Sequence, residues 1–154
     1  MNRDDLLFGI RYSARLMERQ GRFWKKVDGT IRLCSLLSGM AALSFLMKEG
    51  TTTATVFGLF FAFCQAIEYG LQPSEKAAKA GTQRRRFTDL LGRAPGLSDL
   101  ELSAAFHSLP ADEEVPAIES LRAVAYNDVL DERGDDPTHK MPLTFPNRLF
   151  AVIG

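Results

Sequence analysis

Two charge-free runs, Leu33–Met47 and Gly50–Ile67, are separated only by Lys48 and Glu49. They are 15 and 18 residues long. A connection that short makes the chain double back, so the runs are expected to lie as antiparallel neighbours. A membrane-spanning helix wants about 20 apolar residues and tolerates about 17. The second run meets that length. The first is short, since at about 1.5 Å per residue it covers only about 22 Å. It reaches further if Arg32 snorkels to the headgroups and Ile31 joins it. A span this short also implies a thinned bilayer or a helix held upright by neighbours.

The flanks agree with insertion. Arg22, Lys25, Lys26 and Arg32 precede the first run, and Lys76, Lys79, Arg84, Arg85 and Arg86 follow the second. By the positive-inside rule both termini are cytoplasmic and a small turn faces outward. Trp24 and Tyr69 sit where interfacial anchors belong.

Folding the hairpin near residue 50 puts positions whose numbers sum to about 100 at equal depth. That register pairs Cys34 with Ala66, Ser38 with Ala62, Ala42 with Gly58 and Leu46 with Ala54. Small residues then face small ones, so Ser38, Ala42, Ala54, Gly58, Ala62 and Ala66 are the expected helix-packing set, and Gly58→Leu is expected to disrupt the hairpin. Phe57, Phe60, Phe61 and Phe63 are left for lipid or other subunits. Arg32 falls level with Glu68, which predicts an interfacial ion pair. The competing reading is a soluble hairpin with a tight core. Such a core helix normally shows a polar face, whereas Thr51, Thr52, Thr53, Thr55 and Gln65 cluster mostly at one end. The runs are therefore read as a transmembrane pair.

Composition alone does not announce a membrane protein, because 45% hydrophobic residues is an ordinary soluble value. A length of 154 residues suits one domain. The formal charge is zero but unevenly spread. Residues 1–32 carry eight Lys/Arg and four Asp/Glu, residues 72–96 six and two, and residues 97–136 eleven acids against only Arg122 and Arg133. The charged N-terminal stretch has no signal-peptide h-region. Cys34 and Cys64 lack metal-ligand spacing and read as small apolar packers.

Outside the hairpin, Leu7, Ile10, Ala14, Met17, Gly21 and Trp24 alternate steps of three and four, an a/d stripe within a helix over residues 3–28. Its basic face suits a membrane surface, an oligomer or simply solvent. After the second run a basic helix continues to about residue 93, with a bend near Pro73. Ser98 and Glu101 form a capping-box pattern, and Leu97 can staple to Leu102. Pro110 ends that helix. A further helix opens near Pro116, behind Asp112, Glu113 and Glu114, and stops near Gly134. The acidic face of this helical pair can dock on the basic helices, within one subunit or between subunits. The expected fold is all-α: a transmembrane hairpin whose long cytosolic helices form an oligomeric bundle. Its domain is residues 1–134, divided into 1–30, 31–47, 51–69, 71–93 and 97–134, with a tail at 135–154.

No nucleophile–base set stands out, and His107 and His139 lack partners at metal-ligand spacing. There is no P-loop and no Gly-rich dinucleotide turn. The chain does not read as an enzyme, and no catalytic, cofactor or metal residue is assigned. The run Arg84, Arg85 and Arg86 is read as touching lipid headgroups or an acidic protein face. No aromatic platform accompanies it, which argues against direct nucleic-acid binding.

The order of parts resembles a known family. "RYSARLMERQGRFWKKVD" leads into a two-span hairpin with a minimal turn. A basic helix then runs into "RRRFTDLLGR", followed by "LSDLELSAAFHSLPADEEVPAIESLRAVAYNDVL". This is similar to the SLATT family, two-transmembrane effectors associated with bacterial nucleotide-signalling and SLOG-sensor systems. The matching patches are Phe87, Leu90 and Leu91, then Ala125, Tyr126 and Asn127, and the closing "MPLTFPNRLFAVI". The resemblance implies an inner-membrane antiphage effector that acts in abortive infection. Such a toxin is restrained until infection is sensed, then oligomerises and breaches the membrane. It implies no established catalytic residues. It also implies a trigger from outside the chain, a nucleotide second messenger or release from a partner. Candidate partners are a nucleotidyltransferase system or a retron reverse transcriptase–nucleic acid complex.

One hairpin cannot line an aqueous pore, because ions need a polar path. Several could, with Ser35, Ser38, Ser44, Thr55 and Gln65 as the available lining. Two other classes share the architecture. One is a membrane-anchored regulatory or scaffolding protein. The other is a phage holin or exclusion protein, although holins rarely carry so large a cytosolic region.

Overall fold

The computed structural model describes residues 2–47, 50–109, 118–144 and 147. Five α-helices follow one another: α1 (Arg3–Leu46), α2 (Thr51–Leu71), α3 (Pro73–Arg93), α4 (Asp99–Ser108) and α5 (Glu119–Arg133). Short 3₁₀ turns lie at Ala94–Gly96 and Pro137–His139. There is no strand among the described residues. The chain divides into two units, one of residues 1–23 and 76–154, the other of residues 24–75. The turn at Lys48 and Glu49, the helix start near Pro116 with Asp112, Glu113 and Glu114, and nearly all of the chain from Phe145 onward lie outside the described residues.

α1 runs for 44 residues, with no break near residue 28 where the first helix was expected to end. Gly29 is the local weak point, worth about 1 kcal/mol against Ala. Contacts one turn apart bridge it: Thr30 Oγ1 donates to Lys26 O at 2.9 Å, and Arg32 Nε lies 3.1 Å from Asp28 Oδ2. Between α2 and α3 the chain does bend. Gln72 takes a left-handed conformation with φ +47°, and its N–H closes on Glu68 O. Pro73 then occupies the first position of α3, where its missing N–H is not needed.

In the first unit, Leu6, Ile10, Leu16 and Met17 of α1 pack with Phe87 and Leu90 of α3, Leu102 of α4, and Leu121 and Ala125 of α5. Burial on α1 is wider than the a/d stripe read from sequence, because helices cover it from several sides. Gly9 lies against the Phe106 ring, and Gly21 lies 3.6 Å (from its would-be Cβ) from Ala80 Cβ. On α3 the buried positions Ala80, Gln83, Phe87 and Leu90 keep the three-four alternation, which leaves Arg84, Arg85 and Arg86 exposed.

Acidic and basic helices meet inside this unit. Arg19 makes a bidentate pair with Asp128 at 2.9 and 3.1 Å, Arg15 pairs with Glu132, and Arg3 lies 2.6 Å from Asp99. The tail is held here as well. The buried Asn127 donates through Nδ2 to Met141 O at 2.9 Å and accepts from Met141 N–H at 2.8 Å. One amide thus satisfies both backbone groups of a single residue. Asn127→Ala leaves those groups unpaired and is expected to destabilise the fold by about 1–3 kcal/mol in denaturant unfolding, with Asp128→Asn, which weakens the half-buried pair to Arg19 but keeps an acceptor there, costing less.

α4 opens with a reciprocal capping box. Ser98 Oγ accepts from Glu101 N–H, and Glu101 accepts from Ser98 N–H at 2.9 Å. The Ser98 hydroxyl, donating to the Glu101 carboxylate at 2.7 Å, holds that carboxyl below its usual range, and the Ser98 N–H adds to this. A lowered folded pKa stabilises above the unfolded value, and the contribution is lost as pH falls through the folded pKa. Ser98→Ala should therefore lower the thermal midpoint at neutral pH. The gap to the native chain should narrow as pH drops below the ordinary glutamate range, a comparison made by melting both across pH.

Candidate membrane hairpin

The second unit brings residues 33–46 of α1 against α2. Ser35 Oγ accepts from Gln65 Nε2 at 3.0 Å, and a Cβ at Gly39 would lie 3.5 Å from the Phe61 ring. The Phe45 and Phe57 rings stack at 5.8 Å, only 5° from parallel. Each contact joins positions whose numbers sum to 100 or 102, so the antiparallel register follows the depth matching of the sequence. At the end nearest Trp24, Arg32 Nε stands 3.7 Å from Glu68 Oε1 and 3.1 Å from Asp28 Oδ2.

The face that α2 turns inward differs from expectation. Ala54 is buried, but Gly58 is half-buried with nothing within 4 Å of a would-be Cβ, and Ala62 and Ala66 are exposed. Along the seam lie Ala54 and Cys64, both buried, the half-buried Phe57 and Glu68, and Phe61, which covers Gly39 with one side of its ring while remaining 39% exposed. The reason is angular. At 3.6 residues per turn an every-fourth stripe drifts about 40° per step, so three steps carry it about 120° off the seam. Alternating steps of three and four stay on it. Phe57 and Phe61 therefore belong to the seam, while Phe60 and Phe63 point away. On α1, Ser38 is buried at the seam and Ala42 is half-buried.

The polar residues suggested as a pore lining do not share one surface in a single chain. Ser35 and Ser38 are buried in the seam, with Gln65 reaching Ser35 from its exposed position. Ser44 and Thr55 are exposed, and their hydroxyls donate one turn back, to Met40 O at 2.9 Å and Thr51 O at 2.8 Å. Ser38 does the same to Cys34 O at 2.7 Å. Such back-bonding lets a hydroxyl stand in an apolar setting.

Large apolar side chains cover the outside. Leu33, Leu36, Leu37, Met40 and Leu43 on α1, and Val56, Leu59, Phe60 and Phe63 on α2, are exposed. Both helices are long and apolar enough to cross a membrane, and only 11% of the most apolar 18-residue window of each is buried. The core helix of a soluble protein would be mostly buried, so the exposure of these side chains among the described residues is compatible with membrane insertion.

Arg84, Arg85 and Arg86 line the exposed side of α3. Arg84 Nη2 lies 3.7 Å from Glu18 Oε2, and Arg85 and Arg86 make no ion pair among the described residues. Among those residues no group of three or more His, Cys, Asp or Glu could hold a metal ion. Cys34 and Cys64 are free thiols.

The seam distinguishes two glycines. Gly39→Leu would drive a branched side chain into the Phe61 ring and should destabilise the hairpin by about 1–3 kcal/mol. Gly58→Leu enters open space and should leave the hairpin intact, which reverses the expectation from sequence. Unfolding both variants in detergent, followed by near-ultraviolet dichroism of the aromatic rings, separates them.

Comparison with protein-family models, with curated proteins and with solved structures gives no match for this chain.

Proposed function

We propose that this chain is a bacterial inner-membrane effector of the SLATT type, in which the hairpin of α1 and α2 spans the bilayer and both termini face the cytoplasm. The observation that carries the reading is the apolar surface of the hairpin, which is exposed among the described residues and which a bilayer would cover. The basic flanks supply the orientation. The back-bonded hydroxyls and the Ser35–Gln65 bond leave few polar groups unpaired in lipid.

In this reading the effector serves antiphage defence by abortive infection. A partner or small ligand restrains it, and once triggered several copies assemble and permeabilise the membrane. Assembly is needed because the seam of one hairpin is closed by Phe45, Phe57 and Phe61, leaving no polar path through it. The half-buried Gly58 and the exposed Ala62 and Ala66, with Thr55 and Gln65 nearby, are then available for contacts between copies. Arg84, Arg85 and Arg86 meet anionic headgroups or an acidic partner face.

Membranes from expressing cells, washed with alkaline carbonate, should retain the protein, and induction should be followed by depolarisation and growth arrest. Met40→Arg combined with Phe60→Arg, each worth about 2.5–3.5 kcal/mol at mid-span, should release it and abolish both effects. Release of the native protein by the wash would remove the membrane reading. Retention without depolarisation would leave an anchored partner-binding protein in its place.

A further inference from the structure

A groove runs between α1 and α3 in the first unit. Its wider end, about 660 Å³, is walled by Leu7, Leu91, Ala94 and Pro95. A narrower end of about 220 Å³ adds Arg15, Glu18, Arg84 and Glu132, and the two ends share Arg11, Thr88 and Leu91. Four arginines therefore line the groove, and their commitments differ. Arg3 is fixed in place, donating to Ala94 O at 2.7 Å, to Leu97 O at 3.1 Å and to Asp99 Oδ1 at 2.6 Å. Arg15 is held by Glu18 and Glu132. Glu18 is also bound by Arg22, so the 3.7 Å approach of Arg84 draws on a carboxylate already shared. Arg11 is exposed and makes no ion pair among the described residues. The uncompensated positive charge thus sits at Arg11 and Arg84, where the narrow charged end meets the wide apolar one.

We propose that this groove binds a phosphate group carried on an apolar or flat body. The phosphate lies between Arg11 and Arg84, and the body lies along Leu7, Leu91, Ala94 and Pro95. A tetrahedral oxyanion offers enough acceptors for guanidinium groups arriving from two helices, whereas one carboxylate is satisfied by a single fork. The volume suits a small ligand, and an apolar wall with a few convergent polar groups is the usual form of such a site. This site is independent of the membrane reading, since it draws on no residue of the hairpin.

The full chain, purified in a non-ionic detergent, would be titrated by calorimetry with three probes: dihexanoyl phosphatidate, adenosine monophosphate and inorganic phosphate. At least one of the first two should bind tenfold or more tighter than inorganic phosphate. Arg11→Gln should weaken that probe by tenfold or more, and Arg85→Gln, exposed and outside the groove, should leave it unchanged. Leu91→Gln should weaken the same probe while sparing inorganic phosphate. Preference for phosphatidate assigns a lipid headgroup as the ligand, and preference for the nucleotide assigns a soluble one. If neither probe exceeds inorganic phosphate, or if Arg11→Gln and Arg85→Gln weaken binding equally, the proposal is overturned. Because binding is read in detergent, its failure is separate from any failure of membrane retention or depolarisation.

Discussion

A backbone placed in apolar surroundings must satisfy its own hydrogen bonds, and for a segment of this size that means helix. In the proposed bilayer setting the constraint acts on residues 33–46 and on α2, and the helical backbone of both segments meets it. With the backbone groups paired internally, the side chains divide into an outer apolar surface and an inner seam. Small polar residues at the seam, Ser35 and Ser38, let α1 and α2 approach while returning their hydroxyls to the protein. Phe45, Phe57 and Phe61 then fill the opposite half of the contact. The result is a hairpin graded along its length, with Asp28, Arg32 and Glu68 at one end and stacked rings toward the other.

The first unit is organised by a different force. Its arginines and carboxylates come from chain segments far apart in sequence, and the pairs Arg19–Asp128 and Arg3–Asp99 lie 109 and 96 residues apart. Pairs at this exposure contribute modestly to stability, about 0–1 kcal/mol each, so their stronger effect is on which faces meet. Burial does the holding, through Phe87, Leu102 and Leu121 around α1. Gln20 runs against that economy of packing. It is fully buried, and neither amide atom meets a partner among the described residues. A buried amide left so costs about 1–3 kcal/mol, which marks this level of α1 as the weaker part of the packing.

Several features were legible in the chain because they rest on short-range patterns. The two apolar helices, the Ser98–Glu101 box, the Gly134 terminus and the bend at Pro73 each follow from residues within one or two turns of each other. The depth register of the hairpin was equally readable, since a near-minimal turn leaves one degree of freedom. That is why Arg32 and Glu68 could be matched by counting. Continuity of α1 past Gly29 was missed although the contacts that bridge it, Thr30 to Lys26 O and Arg32 to Asp28, lie only one turn apart.

What the amino-acid order determined by itself, then, is which segments are helical, which are apolar enough to need a covering, and the depth at which hairpin residues face one another. Local propensity and hydropathy fix these before any packing occurs. Only the tertiary structure decided which face of each helix is used. A stripe of small residues is visible in sequence, yet whether Gly58 and Ala62 or Phe57 and Phe61 turn inward depends on rotation about the helix axis, which the partner surface selects. The same holds for Asn127, whose role depends on Met141 arriving beside it. It holds also for Arg11, whose lack of an ion partner among the described residues depends on where the carboxylates of the other helices come to lie.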